Sequence, residues 1–391
     1  MINLINIINY MSSKSILHVV NIYFVLPYFI GDQFKYMKSK GYDMHVISSP
    51  SEYLSSYAEK QGFKYREIQV SRTFSIFQDL KSLLEIIKYI RNNNIKIVVG
   101  HTPKGALLAM LASAVLRVPD RIYFRHGLMY ETSKGFKYLV LITMERFTSL
   151  CAKKVVCVSQ SIFDKSLEHK LNNKNKQIVI GRGTCGGIDA INKFNPEIIN
   201  KNRLFQLKLD YQISESDFVI GYCGRLVRDK GIVELVKAIV NLNKKYKVKL
   251  LLVGDYEERD ALPKDTIDII ERDPNIIKTG FIFKDIEYYY CLMNMFILPS
   301  YREGFGMSVL EASAMKLPVL TTRVTGCVDS IIEGITGFYV ENSSESIEKE
   351  IISIMFNCDG NVIGANGRDF VLKYFDNRIL WPLFEKQLYS K

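Results

Sequence analysis

The hydrophobic pattern alternates short apolar runs with longer mixed stretches. Residues 15–21 (SILHVVN) form one apolar run, and further strands are predicted at 44–48, 95–100, 121–125, 153–158 and 178–180, and at 63–70 (FKYREIQV), which alternates polar and apolar residues. Runs of this length without polar alternation predict strands buried on both faces of a parallel sheet. Helical patterns at 32–40, 53–61, 79–92 and 106–116 separate them, with Gly41 and Gly62 closing the first two. Strand, helix, strand in this order predicts βαβ units and a helix-covered sheet. His18 and His45 fall inside apolar strands and read as core histidines.

A glycine-rich run, GRGTCGGID at 181–189, interrupts the pattern, which then starts again. A strand at 218–223 ends in Gly224-Arg225, and Lys230-Gly231 opens a helix over 232–245. Strands follow at 249–253 and 276–279, the second leading into Gly280-Phe281-Ile282. The organisation predicted is a tail (1–14), a first α/β domain (15–200), a second (201–375), and a closing helix (376–391) that packs back towards the first and is interrupted by Pro382. The tail reads either as a disordered extension or as an upstream start, with Met11 the true one.

The densest chemistry lies at 296–322, FILPSYREGFGMSVLEASAMKLPVLTT. Phe296-Ile297-Leu298 reads as a strand, Gly304-Phe305-Gly306 as a glycine loop, and 307–315 as a helix stopped by Pro318. A helix start with backbone N–H groups at Met307 and Ser308 is an anion site. Glu303 beside it makes sense only if that carboxylate meets neutral hydroxyls, since a second anion would repel phosphate; a second acid, Glu311, lies eight residues on. Phosphate with nearby hydroxyls describes a sugar nucleotide. An ordinary crossover with a glycine turn is the bland reading of the same stretch. Arg225 and Lys230, singly, are ordinary surface charges; after one strand end and opposite the glycine loop, they supply two cations for a diphosphate. His101-Thr102-Pro103-Lys104-Gly105 and His126-Gly127 each follow a strand, at the carboxyl edge where open α/β sheets bind ligands. Each histidine reads either as a functional group or as a loop residue held for structure.

Charge changes the picture in one respect. Residues 1–200 carry 27 Lys/Arg against 14 Asp/Glu, a net of +13, whereas 201–391 carry 25 against 27. A basic first half implies an anionic partner. The stretch 132–150 mixes Lys134, Lys137 and Arg146 with Phe136, Tyr138, Leu139, Leu141, Ile142 and Phe147. It reads as a core helix with a solvated face or as a helix resting on an anionic membrane. No apolar run approaches 18 residues, and the start lacks a basic region and a cleavage site, so neither a membrane span nor a secretory signal is predicted. Seven scattered cysteines without a CxxC read as reduced thiols.

Taken together, GDQFKYMKSKGYDMHVISSP, HTPKGALLAMLASAVLRVPDRIYFRHGLMYETSKG, KKVVCVSQS, GRLVRDKGI, LLLVGDYEERD and EGFGMSVLEASAMKLPVLTT resemble the family-four retaining glycosyltransferases of the GT-B fold, of the kind that build bacterial capsule, O-antigen or lipid-linked oligosaccharides. The resemblance covers nearly the whole chain. It departs at Gly186-Gly187-Ile188-Asp189, where relatives often carry Asn-Gly-Val-Asp, and in the first loop, which has Gly31 but no double glycine. The resemblance implies two Rossmann-like parallel-sheet domains facing across a cleft. By it, Gly224, Arg225 and Lys230 hold the diphosphate, and Glu311 bonds ribose hydroxyls. Glu303 meets hydroxyls of the donor sugar, while Gly304, Phe305, Gly306, Met307 and Ser308 line phosphate and sugar. Phe281 and Ile282 meet the base, and His126 touches the sugar near the reacting carbon. His126, Glu303, Arg225 and Lys230 are then the catalytic set, and Gly31, His101 and Lys104 lie on the acceptor side.

The function implied is transfer of a hexose or N-acetylhexosamine from a UDP-sugar to a lipid-linked saccharide on polyprenyl diphosphate. No cofactor and no metal are expected, because no Asp-x-Asp sits in a suitable loop. The expected location is cytoplasmic, peripheral on the anionic inner face of the plasma membrane, with no nucleic-acid partner. Two alternatives stand beside it: a UDP-sugar 2-epimerase on the same fold, and a basic nucleic-acid binder motivated by charge alone. A nicotinamide oxidoreductase is disfavoured, since no G-x-G-x-x-G follows the first strand.

Overall fold

A computed structural model describes residues 14–71 and 75–390, so the expected tail lies almost wholly outside the described residues. The chain divides into two compact units, Met1–Gly186 with Leu380–Lys391, and Gly187–Ile379. Each is a parallel sheet flanked by helices, as the apolar runs predict.

The first sheet has seven strands: β1 (Ser15–Val19), β2 (Asp43–Ser48), β3 (Lys64–Glu67), β4 (Ile97–Gly100), β5 (Asp120–Arg125), β6 (Lys154–Cys157) and β7 (Gln177–Ile178). Their order is β3-β2-β1-β4-β5-β6-β7, all parallel. Every residue of β1 is buried, which is why the run carries no polar alternation. The order reverses between β1 and β4, the point where ligands of such sheets bind. There β1 and β4 run in register, with His18 opposite Val99 and Val19 opposite Gly100. The helix after β4 starts at Pro103, earlier than the apolar pattern alone indicates, because proline at a first helical position forfeits no hydrogen bond. The helix before β4 likewise begins at Ile76.

The last residues complete this unit. The helix Asn377–Phe384 contains Pro382 and continues through it. Trp381 Nε1 donates to Gly186 O at 2.8 Å, and Phe384 stacks on Phe124.

The second sheet has six strands: β8 (Phe218–Cys223), β9 (Val248–Val253), β10 (Ile276–Gly280), β11 (Met295–Leu298), β12 (Val319–Thr322) and β13 (Phe338–Val340). Their order is β10-β9-β8-β11-β12-β13, again all parallel. The reversal here falls between β8 and β11. The loops leaving those two strands are the ones that carry Arg225 and Lys230, and Glu303 and Gly306.

Candidate functional site

In the second unit the loops after β8 and β11 are held together by backbone. Gly231 has φ +71, and a Cβ there would lie 2.0 Å from Pro299 O. Gly326, at φ +86, passes so close that a Cβ would meet Gly304 O at 2.6 Å and Glu303 O at 2.8 Å. Only glycine permits both the conformation and the approach. Asn342 adds a side-chain bond to Pro299 O at 2.7 Å.

This scaffold brings charges together. Lys230 Nζ lies 2.5 Å from Glu303 Oε1, which also accepts from Ser300 Oγ at 2.9 Å. Arg302 pairs with Asp229 at 3.0 Å on the same pair of loops. Arg225 pairs with Glu257 and keeps much of its side chain exposed. The helix Met307–Ala314 begins at Gly306 (φ +71) with no side-chain cap and no acid in its first turn, a helix start whose dipole favours an anion. Glu311, one face further along, accepts from Tyr290 OH at 2.6 Å. Burial raises the Glu311 pKa, opposed by that hydroxyl and by Lys193. A carboxylate kept part-desolvated with one hydroxyl donor retains lone pairs for further hydroxyls.

Other expected contacts divide. Phe281 is 43% exposed and faces Phe283 at 6.1 Å, while Ile282 is half-buried. Gly224 takes φ +152 where the chain leaves β8. The Phe305 side chain does not line the loop: it is buried against Phe375 at 5.3 Å, so only its backbone faces outward chemistry.

In the first unit the reversal point carries three histidines in a line. His18 Nδ1 lies 2.9 Å from His101 Nε2, and His101 Nδ1 lies 2.8 Å from His126 Nε2. Phe29 stacks on His126 at 4.5 Å. Arg125, next to His126 and fully buried, is fixed by Glu145 (3.0 Å), Ser166 (2.8 Å), Asn172 (3.1 Å) and Ser149 (2.6 Å). Gly31, at φ +56, closes the turn Leu26–Ile30. Two expected acceptor-side groups are not surface groups. His101 is 2% exposed with both ring nitrogens engaged by histidines. Lys104 is buried on Asp79 at 2.6 Å, because the helix it begins packs against the helix carrying that acid.

Sequence reasoning read His18 as a core histidine, which its 2% exposure bears out, and passed over Arg125, Glu145, Tyr290 and Gly326. Both His18 and Arg125 sit in apolar strands, where a histidine reads as filler and an arginine as a strand end. The available signal was a charge inside a strand flanked by apolar residues, which demands a buried partner.

With this geometry in hand, known proteins give a consistent likeness. The family description "Glycosyl transferases group 1" matches residues 217–357, and "Glycosyl transferase 4-like" matches residues 8–159. The chain is 34% identical over 378 residues to the capsular polysaccharide biosynthesis glycosyltransferase CapM of Staphylococcus aureus, covering 96% of this chain and 97% of that one. It is 24% identical over 352 residues to the UDP-Gal:alpha-D-GlcNAc-diphosphoundecaprenol alpha-1,3-galactosyltransferase of Escherichia coli, covering 88% of each. Among solved structures, Anabaena Alr3699/HepE in complex with UDP and glucose matches with a TM-score of 0.79 at 18% identity, over 96% of this chain and 99% of that one. A glycosyltransferase from Rickettsia africae matches with a TM-score of 0.77 at 24% identity, over 97% and 100%. These structural likenesses establish a shared GT-B fold.

Proposed function

The chain belongs to the group 1 glycosyltransferase family, and from that premise we propose that it is a retaining enzyme acting in capsule or O-antigen assembly. It moves a hexose or N-acetylhexosamine from a UDP-sugar to a saccharide carried on polyprenyl diphosphate. One observation carries the reading: Lys230 and Glu303 meet beside an uncapped helix start at the reversal point of the second sheet. The printed names of the S. aureus and E. coli relatives support the polymer and the lipid-linked acceptor.

In the reaction, the bond from the sugar's anomeric carbon to the diphosphate breaks. A bond to the acceptor oxygen forms on the same face, and the acceptor's proton passes to a diphosphate oxygen. Arg225, Lys230 and the helix start stabilise the charge developing on the diphosphate. Two side-chain cations supply what a metal ion supplies elsewhere, so no metal is assigned. Glu303 orients sugar hydroxyls, Glu311 the ribose, and Phe281 the base.

The test is direct. Purified protein is incubated with a UDP-sugar panel, alone and with a synthetic polyprenyl-diphosphate saccharide. A bound UDP-sugar at a hundred times its Kd adds about 2.7 kcal/mol of stability, read as a rise in Tm. Transfer with retained anomeric configuration is expected. Isomerised sugar from donor alone would favour the 2-epimerase, and salt-sensitive DNA binding without any response to UDP would favour the nucleic-acid reading.

We further propose that the first unit rests on an anionic membrane. Among the described residues, no helix is long and apolar enough to cross one. The helix Gly135–Cys151 is inverted: it buries Ile142, Glu145, Thr148 and Ser149, and exposes Phe136, Leu139, Phe147 and Leu150. The helix Ile76–Asn92 exposes Ile76, Phe77, Leu80 and Leu84. Both pack on the helix Pro103–Val115, so the two apolar faces flank one element. Exposed Lys81, Lys88, Lys134 and Lys137 surround them, a mixture that suits lipid phosphates over an apolar interior. The double substitution Phe77→Ser/Phe136→Ser is expected to weaken binding to phosphatidylglycerol vesicles at least ~100-fold, since each phenylalanine withdrawn from lipid costs roughly 1.5–3 kcal/mol. Transfer to a water-soluble acceptor should be unchanged. Equal binding to phosphatidylcholine vesicles, or no loss in the variant, would refute it.

A further inference from the structure

Within the second unit, the loops leaving β8 and β11 are fixed at their roots by the close packing of Gly231 on Pro299. Beyond that point three ties join them. Tyr301 N–H donates to Asp229 O at 2.8 Å. Arg302 Nη2 bonds Asp229 Oδ2 at 3.0 Å, and Lys230 Nζ bonds Glu303 Oε1 at 2.5 Å. The charges are crossed: an acid then a cation on one loop, Asp229-Lys230, face a cation then an acid on the other, Arg302-Glu303. Both pairs are largely withdrawn from water. The Tyr301 hydroxyl also bonds Glu234, but Tyr301 is 42% exposed and water competes for that bond.

The two pairs differ in what a ligand does to them. An anion that takes Lys230 must part it from Glu303, and the freed carboxylate then repels the same anion. Neither Asp229 nor Arg302 is assigned to substrate. Their contact is also incomplete: Arg302 Nε and Asp229 Oδ1 are both buried without a hydrogen-bond partner. A guanidinium facing a carboxylate can make two parallel bonds, so this pair holds one in reserve and can tighten when its neighbour opens.

We propose that Asp229 and Arg302 are positioning residues, a clamp that keeps the two loops in register while Lys230 and Glu303 give each other up for substrate. The exchange step rests on the reading of Lys230 and Glu303 as substrate contacts; the clamp itself does not. With either pair closed, Tyr301 stays on Asp229. With both open, the loops are joined only at their roots, and Glu303 loses its place beside the helix that begins at Met307.

Amide exchange at Tyr301 reads the register directly, in the full chain with UDP as the probe. The unsubstituted protein is expected to exchange slowly with and without UDP. Arg302→Gln should stay slow when free, because Lys230 still holds Glu303, and exchange at least ~10-fold faster once UDP takes Lys230. Arg302→Lys, which can make one bond but not two, should fall between them. Lys230→Ala opens the other pair without any ligand. It should stay slow, and Lys230→Ala/Arg302→Gln should be fast with or without UDP. Slow exchange in that double variant would overturn the clamp, since packing at Gly231 would then hold the loops alone. Fast exchange in free Arg302→Gln would overturn it too, since the two pairs would not share the task. A fast double variant, with no response of Arg302→Gln to UDP, would uphold the clamp and end the reading of Lys230 as a phosphate contact. In transfer assays Arg302→Gln should lose ~10- to 100-fold in kcat with Tm little changed, the scale of a small misplacement at a reacting centre. An Arg302→Lys variant no more active than Arg302→Gln would overturn the role given to the charge.

Discussion

Lys230→Ala is expected to lower sugar transfer by about 10³-fold while the second unit stays folded, the scale seen when a group stabilising transition-state charge is removed. Two effects act in the same direction. The ammonium that would meet the leaving diphosphate is gone. In addition, Glu303, which Lys230 holds at 2.5 Å, is left as an unpaired carboxylate beside the incoming phosphates. Ser300 Oγ at 2.9 Å cannot neutralise it. The loss in the Lys230→Ala/Glu303→Ala double variant should accordingly fall short of the product of the two single losses, because the residues are in contact and one repulsion is removed with the other. Steady-state rates at saturating donor, beside circular dichroism and Tm, read all three variants. A well-folded double variant with full activity would end the assignment of this site. Arg225→Ala should cost less, since that side chain is 42% exposed and already shared with Glu257.

The two-sheet architecture was legible because it is written locally, as was the meeting of Lys230 with Glu303 at the candidate site. Strand, glycine, helix is a pattern of neighbours along the chain, and so are the spacings from Arg225 to Lys230 and from Glu303 to Glu311. What was not legible depends on contacts between elements far apart in sequence. The pairing of His18 with His101 exists because β4 returns to lie beside β1 after two intervening strands. From sequence, His18 is a polar residue in an apolar strand and His101 a loop residue, and nothing local joins them. Tyr290 reaches Glu311 across 21 residues for the same reason. Lys104 and Phe305 show the converse error. Both occupy positions where a loop meets a helix, which promises a ligand contact, but Lys104 finds Asp79 and Phe305 finds the core against Phe375. The direction of a side chain at a helix start is set by the packing of that helix, and periodicity does not report it.

The largest stability effect is expected away from the second unit. Glu145→Ala should destabilise the first unit by roughly 3–5 kcal/mol, the usual cost of leaving one member of a buried ion pair without its partner. Arg125 is 0% and Glu145 6% exposed, so water cannot replace the lost carboxylate. The serines and Asn172 around Arg125 satisfy its other donors with neutral oxygens but leave its charge uncompensated. Tyr123 OH, which bonds Glu145 Oε1 at 2.8 Å and Oε2 at 2.9 Å, loses its acceptor as well. Glu145→Gln keeps an oxygen for one of these groups and should cost less than half as much. Because the chain has two units, urea unfolding of Glu145→Ala should split into two transitions, with the first unit's moved to lower denaturant. Arg125 immediately precedes His126, so the loosened strand end should also disturb His126 before the unit unfolds. A single, unshifted transition would mean that this buried network does not anchor the strand, and that packing alone holds His126 in place.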